Sequence, residues 1–395
     1  MVVHFYILFP FPMGMAAAKR LTCYAKGLLN EGNSIDVSIC TKCFSVDNND
    51  QYSQSGTFQG IHYNYISGKI QSSNKLIRKF QLHVSEPLIA FFHALKTVKK
   101  NQVIFCYFYN NWLYVLLILA AKIKGAKIVR EVCEHPSALC NINSIKGKIG
   151  RWIEYNLLFP YFNGFVTISK DLNNFVDLYK SEFAKSIIIP ILVDDSYDID
   201  DTSVHSPYNV PYIIHTGTML EQKDSVSKII KVFARLKRET HSDCRLVFTG
   251  PHANENCQYI PLIEALNVRD SIDLLGLVSN DEVKKLQHFA ALTIIYKSDN
   301  LQTRNCFPTK LGEMLMSGCP VITTNIGDAK LYLEDKKNAL IFNPDDDDTL
   351  LDYIKYLLKN PIIGRKIGAA GRDVAKDSFN PYIQGKRISD FLKQL

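Results

Sequence analysis

The chain lacks the signatures that would tie it to a membrane span, a disulfide scaffold or a nucleic acid. Its longest uncharged apolar run, Trp112 to Ala121, is only about half the length needed to cross a bilayer. Met1 to Pro12 is apolar but has no basic flank, so it reads as a strand rather than a secretory leader. The 10 cysteines are scattered, mostly inside apolar strand-like runs, as free thiols in a reducing compartment would be. Cys40 and Cys43 form the only close pair, and without a second CxxC or an HxxxH a structural role is favoured over a metal or redox role. No complete GxGxxG is present, and no nucleic-acid-binding module is recognisable. A cytoplasmic chain is expected.

Acidic residues are also scarce, but only in the first half. Residues 1–185 carry 21 Lys+Arg against 11 Asp+Glu, whereas the remainder is nearly balanced at 25 against 28. Clusters such as Lys75/Arg78/Lys79, Lys96/Lys99/Lys100 and Lys146/Lys148/Arg151 suit an anionic membrane surface, where the protein would sit peripherally, or an anionic acceptor. Solvated helix faces are the ordinary alternative.

What the chain does have is length and alternation. Its 395 residues, 47% of them hydrophobic, exceed what one core usually organises, so two domains are expected. Val2 to Phe9 reads as a strand, Gly14 as part of the following turn, Ala16 to Asn30 as a helix and Ser34 to Cys40 as the next strand. This βαβ start places Gly14 near a ligand. Further strands follow at 61–66, 102–108, 126–132, 164–169 and 186–192. Glu134 and His135 come directly after the strand that ends at Val132, where α/β proteins place working residues; a plain loop is the alternative.

After an Asp-, Ser- and Pro-rich linker at Val193 to Val210, alternation resumes with strands at 212–216, 245–249, 271–275, 291–296, 320–324 and 339–342. The expected division is an acceptor-side domain over 1–193, with a helix at 381–395 packing back on it, and a nucleotide-binding domain over 194–380. Within the second, Asn305 to Cys319 is the central stretch. Thr309 reads as an N-cap, and Leu311, Met314 and Leu315 recur at helical spacing up to Gly318. A helix beginning there offers its positive end to phosphate oxygens, with Lys310 adding a full charge and Glu313 placed one turn on to meet a ribose. Lys223, in the turn that follows the strand at 212–216, directs a second charge toward the same edge. The acidic run Asp345 to Asp348 reads as helix capping rather than a cation site, and no metal is assigned.

In this order the pieces resemble the family-4 retaining glycosyltransferases of the GT-B fold, over nearly the whole chain and most strongly from Tyr212 to Phe342. The resemblance implies α/β architecture with two facing Rossmann-like domains and a cleft between them. The family's Gly-Arg-x-x-x-x-Lys turn is matched at Gly217 and Lys223, with Thr218 where the arginine is expected. Its Glu-x7-Glu signature implies Glu313 as the ribose ligand and puts Asn305 at the position of the glutamate that contacts the donor sugar. Phe307 matches the aromatic that follows. Leu277 and Val278 look like the strand end whose backbone meets the base.

The resemblance further implies a UDP- or GDP-linked sugar as donor, a glycan or lipid-linked glycan as acceptor, no separate cofactor, and transfer with retention in surface polysaccharide synthesis. The leaving diphosphate gains negative charge and the anomeric carbon positive charge, so Lys223, Lys310 and the helix terminus would favour departure, with Asn305, Glu134 and His135 on the sugars. Two other readings stay open. The departures at Asn305 and Thr218 suit a catalytically weak, carbohydrate-binding partner subunit, and a sugar-nucleotide epimerase has a similar two-domain build.

Overall fold

The computed structural model describes residues 1–14, 16–44, 53–135, 144–194, 205–305 and 307–395, and divides into two compact units, Met1–Pro190 with Pro381–Leu395, and Ile191–Asn380. The first unit runs β1 (Val2–Ile7), α1 (Ala16–Asn30), β2 (Ser34–Ile39), β3 (Ser55–Phe58), β4 (Ile61–Tyr65), α2 (Lys75–Phe80), a π-turn (Gln81–Ser85), α3 (Glu86–Thr97), β5 (Val103–Tyr107), α4 (Asn111–Lys124), β6 (Lys127–Val132), α5 (Ile145–Ile153), β7 (Gly164–Thr167), α6 (Lys170–Asp177) and β8 (Lys185–Ile188). The eight strands form one sheet in the order β3-β4-β2-β1-β5-β6-β7-β8. All neighbours are parallel except β3, which pairs antiparallel with β4 at the edge.

The central strands are apolar throughout because helices cover both faces of a parallel sheet. Val3, Phe5, Ile7, Val103, Phe105, Ile128 and Val129 are all buried. β3, with the sequence Ser-Gly-Thr-Phe, was not anticipated, since an exposed edge strand carries no such run. Inside the fold Arg20 of α1 donates to Glu131 Oε1 at 2.8 Å and to the carbonyls of Ile189 and Pro190, so one buried guanidinium ties α1, β6 and the exit from β8. The Cys40 thiol is buried, and burial, helped by Glu86, pushes that of Cys43 up to about 12; both are reduced and suit packing.

The second unit runs β9 (Tyr212–Thr216), α7 (Glu221–Asp224), α8 (Val226–Thr240), β10 (Arg245–Thr249), α9 (Ile260–Ala265), β11 (Ile272–Leu274), α10 (Asn280–Phe289), β12 (Leu292–Ile295), α11 (Leu301–Asn305), α12 (Thr309–Met316), β13 (Val321–Thr324), β14 (Leu340–Phe342), α13 (Asp347–Lys359) and α14 (Pro361–Ser378). Its sheet is wholly parallel, in the order β11-β10-β9-β12-β13-β14. Ile213 points into a core with Leu246, Phe248, Leu292 and Ile294, while Tyr212 and Ile214 point into a second core with Val247 and Leu286. α8 closes the first core with Val226, Ile229, Ile230, Phe233 and Leu236, the i, i+3, i+4, i+7 stripe of an amphipathic helix.

The acidic run is used as capping and tying groups. Asp346 accepts from Thr349 N at 3.1 Å as the N-cap of α13, Asp347 accepts from Tyr296 Oη at 2.7 Å, Asp348 pairs with Arg235, and Asp345 pairs with Lys228.

The final helix, α15 (Pro381–Lys393), lies against α1 in the first unit. The contact is backbone on backbone. A Cβ on Gly385 would come within 2.3 Å of Gly27 Cα, and one on Gly27 within 2.2 Å of Pro381 O, so this crossing admits only glycine at both positions.

Candidate functional site

In the second unit β9 has β10 on one side and β12 on the other, so the chain leaves it in opposite directions at the sheet's carboxyl edge. Open parallel sheets bind ligands at such a switch point. β9 leads into Gly217-Thr218 and β12 into Tyr296-Lys297-Ser298. The backbones crowd here. Gly217 N donates to Thr249 O at 3.0 Å, and a Cβ at Gly250, whose φ is +141°, would stand 1.7 Å from Gly217 O. Glycine at 250 is therefore a steric requirement.

A compact charged group fills the edge. Lys297 Nζ lies 2.6 Å from Asp224 Oδ1, and Thr218 Oγ1 donates to Asp224 Oδ2 at 3.2 Å. Ser225 and Ser298 share a hydroxyl hydrogen bond of 2.6 Å, which joins the turns after β9 and β12. Burial alone would raise the Asp224 carboxyl, but Lys297 and His215, with hydrogen bonds from Lys297 and Thr218, outweigh it and hold it below the usual carboxylate range. Burial lowers the proton affinity of His215, and Lys297 and Lys310 add to the effect against the pull of Asp224. The imidazole is thus neutral near pH 7, and its Nδ1–H donates to Ile294 O at 3.0 Å. Its Nε2 is buried, has no hydrogen-bond partner among the described residues, and would lie 3.0 Å from a Cβ placed on Gly217.

The expected lysine, Lys223, is half-buried and lies within the one-turn helix α7 rather than in an open turn. Thr218, at the position where an arginine was sought, is a hydroxyl partner of Asp224 and supplies no charge. The Lys310 charge opposes protonation of His215. α12 begins at Thr309, with Pro308 as its cap residue and no side-chain capping bond. Thr309 is therefore the first helical residue and not the N-cap, because the proline backbone already sets the entry into the helix. Glu313 is half-buried one turn into α12.

Three donor-side assignments have the following surroundings in space. Phe307 is wholly buried, stacked on Tyr332 with ring centroids 5.4 Å apart and edge-on to Phe379, so its ring packs the unit rather than facing a ligand. Asn305 is buried in α11, and its Nδ2 donates to Leu301 O at 2.8 Å, which commits part of the amide to its own helix. Leu277 is exposed, whereas Val278 packs against the core that contains Tyr212 and Ile214.

Gly14, Glu134 and His135 belong to the first unit. A Cβ on Gly14 would stand 2.8 Å from both Pro10 O and Ala18 Cβ, so the turn into α1 explains this glycine locally. Glu134 follows the end of β6, and Tyr109 Oη bonds both its N–H and its carbonyl. The His135 ring lies 4.6 Å from that of Phe175, and burial, with Arg151, lowers its proton affinity. Residues 136–143, which follow His135, lie outside the described residues. Among the described residues no three His, Cys, Asp or Glu side chains gather as a metal-sized group.

The family described as "Glycosyl transferases group 1" matches residues 199–374, which include the whole of this sheet edge. The N-acetyl-alpha-D-glucosaminyl L-malate synthase of Bacillus anthracis is 24% identical over 167 residues; the match takes in 42% of this chain and 41% of the length of that relative. Among solved structures, sucrose-phosphate synthase from Thermosynechococcus elongatus superposes with a TM-score of 0.75 at 12% identity, over 100% of this chain and 98% of that one. The Anabaena protein HepE in complex with UDP does so with a TM-score of 0.72 at 13% identity, over 100% of both chains. These likenesses identify the fold as GT-B, with two Rossmann-like domains in one chain.

Within the matched residues, sequence reasoning missed His215, Asp224 and Lys297. Asp224 and Lys297 are 73 residues apart, and only the pairing of β9 with β12 brings them together. The usable signal, a charged residue just past the end of an apolar strand, holds for Lys297 after β12 and is the one that singled out Glu134; it does not reach Asp224, which ends α7, or His215, which lies inside β9.

Proposed function

We propose that the protein is a glycosyltransferase that takes a sugar from a nucleoside diphosphate sugar and passes it to a hydroxyl of a glycan or lipid-linked glycan. The observation that carries this reading is the charged group at the β9/β12 switch point within the matched residues, where Lys297 pairs with Asp224 beside His215 and Thr218. Cations and a helix N-terminus at a sheet's carboxyl edge suit a diphosphate. The UDP carried by the HepE structure supports the same ligand class.

In the reaction the bond from the anomeric carbon to the phosphate oxygen breaks and a bond to the acceptor oxygen forms. The acceptor's proton passes to the departing phosphate, and configuration is retained. Negative charge grows on the diphosphate as it leaves, so Lys297, Lys310 and Lys223 stabilise the transition state more than the ground state. Glu313 accepts from the ribose hydroxyls. Glu134, His135 and Gly14 serve the acceptor side, and the work is done in the cytoplasm. No step requires a metal.

A second reading, a carbohydrate-binding subunit with little turnover, is favoured by the committed amide of Asn305 and by Thr218 in place of an arginine. Nucleotide release from a panel of UDP- and GDP-sugars, with and without membrane extract, separates the two. Release stimulated by acceptor supports the transferase. Donor binding without release under any condition supports the second reading, and neither binding nor release would overturn both.

A further inference from the structure

The first unit presents apolar side chains to solvent where a water-facing helix layer would carry polar ones. α2, the π-turn and α3 run on as one helical rod, α3 packs along α4, and Asn111 at the start of α4 donates to Gly150 O of α5 at 2.7 Å. These neighbouring helices each expose an apolar stripe. On α2 it is Leu76, Ile77 and Phe80, and on α4 it is Trp112, Val115, Leu119 and Ile123, spaced as one helix face. On α5 it is Ile145, Ile149 and Trp152, at i, i+4 and i+7. The exposure is substantial: 77% for Leu76, 76% for Ile145, 57% for Trp152 and 48% for Trp112. Neither α2 nor α5 buries a single residue. An apolar patch of this kind marks an interaction surface.

The charge of this surface says what covers it. α2, α3, α4 and α5 together hold nine basic side chains and one acid, Glu86, which is buried. A protein partner would have to bring an acidic and apolar face of matching shape. An anionic leaflet meets both demands at once, since it accepts Trp, Phe and Leu at the acyl boundary and attracts Lys and Arg at the headgroups. No helix among the described residues is long and apolar enough to span a bilayer, so insertion of these stripes is interfacial. We propose that α2, α4 and α5 form a docking face that seats the first unit on an anionic lipid surface, with Trp112 and Trp152 entering the interface. This goes beyond the transferase reading and does not depend on it.

The test uses the chain's own optics, because Trp112 and Trp152 are its two tryptophans and both lie on this face. Full-length protein is mixed with vesicles of phosphatidylcholine alone or with a minority of phosphatidylglycerol, at low and at high salt. The expected result is pelleting and a blue shift of tryptophan emission with anionic vesicles at low salt, both weakened by salt. Each basic side chain near an anionic leaflet is worth roughly fivefold in affinity, so Lys79→Gln/Lys146→Gln/Lys148→Gln should lose on the order of a hundredfold. Trp152→Ser/Phe80→Ser should lose the binding that persists at high salt. Unchanged melting curves keep both variants interpretable, since all five residues are exposed. Emission and pelleting that ignore anionic vesicles would overturn the proposal. So would tryptophans already shielded without lipid in a concentration-dependent oligomer, which would make a second copy the occupant.

Discussion

The Lys297 ammonium and the Asp224 carboxylate meet at 2.6 Å across the switch point of the second sheet, Lys297 on the turn that leaves β12 and Asp224 at the end of α7, the short helix that follows β9. Both are largely buried, so each neutralises the other until a stronger anion arrives. A diphosphate at this edge would share Lys297 with Asp224. Charged hydrogen bonds of this kind are worth about 1.5–3 kcal/mol, so Lys297→Met should weaken UDP binding roughly tenfold to a hundredfold or more by calorimetry. Asp224→Asn/Lys297→Met is the companion variant, because it avoids stranding a buried carboxylate. If the double variant binds UDP as the wild type does, Lys297 serves Asp224 alone.

The same pair sets a pH dependence. Against the cost of burial, the charges of Lys297 and His215 and the hydrogen bonds from Lys297 and Thr218 lower the proton affinity of Asp224, so the fold favours the ionised carboxylate. The stabilisation is complete above the ordinary carboxylate value, about 4, and is lost as pH falls through the lower folded value. Asp224→Asn should therefore lower the melting temperature at neutral pH, and the gap to wild type should close in the acid range below that point. A gap of equal size at both ends would assign the effect to shape rather than charge.

Lys223 and Thr218 test where turnover is limited. If Lys223 acts on the departing diphosphate, Lys223→Ala lowers kcat more than it raises the donor KM, because the partner gains charge only in the transition state. Thr218→Arg should raise kcat if the absent guanidinium limits the reaction. A Lys223→Ala effect confined to KM would reassign that residue to uniform binding.

The two glycines at the α1–α15 crossing offer a check on stability. Gly385→Ala drives a methyl into Gly27, where the nearest backbone atom leaves only 2.3 Å, so the helices must separate. Overpacking of this kind costs about 1–3 kcal/mol. A denaturant midpoint unchanged from wild type would mean that α15 is not held against α1 in solution.

Most strands were legible because parallel sheets bury both faces and leave apolar runs, and the helices were legible from stripes such as Val226, Ile229, Ile230 and Phe233. The edge strand at Ser55–Phe58 left no such trace. The site was legible where one turn contains it, as with Gly217 to Lys223 and Pro308 to Glu313. It was illegible where two turns build it jointly. Nothing local to Lys297 names Asp224 as its partner, and nothing local to Phe307 reveals that Tyr332 and Phe379 enclose its ring.

Glu313 carries the last expectation. It sits one turn into α12, half-buried, on the helix whose first turn holds Lys310, and Lys310 acts on His215 at the switch point. If a diphosphate lies at the helix start beside Lys310, a carboxylate 3 residues further on would meet the ribose hydroxyls of the nucleotide. Glu313→Ala should then weaken UDP by about 1.5–3 kcal/mol, and Glu313→Gln by less, because an amide still accepts one hydrogen bond. The discriminating ligand is 2′-deoxy-UDP. Wild type should bind it more weakly than UDP, whereas Glu313→Ala should bind the two alike. If the alanine variant still prefers UDP by the wild-type margin, the ribose is read by another residue.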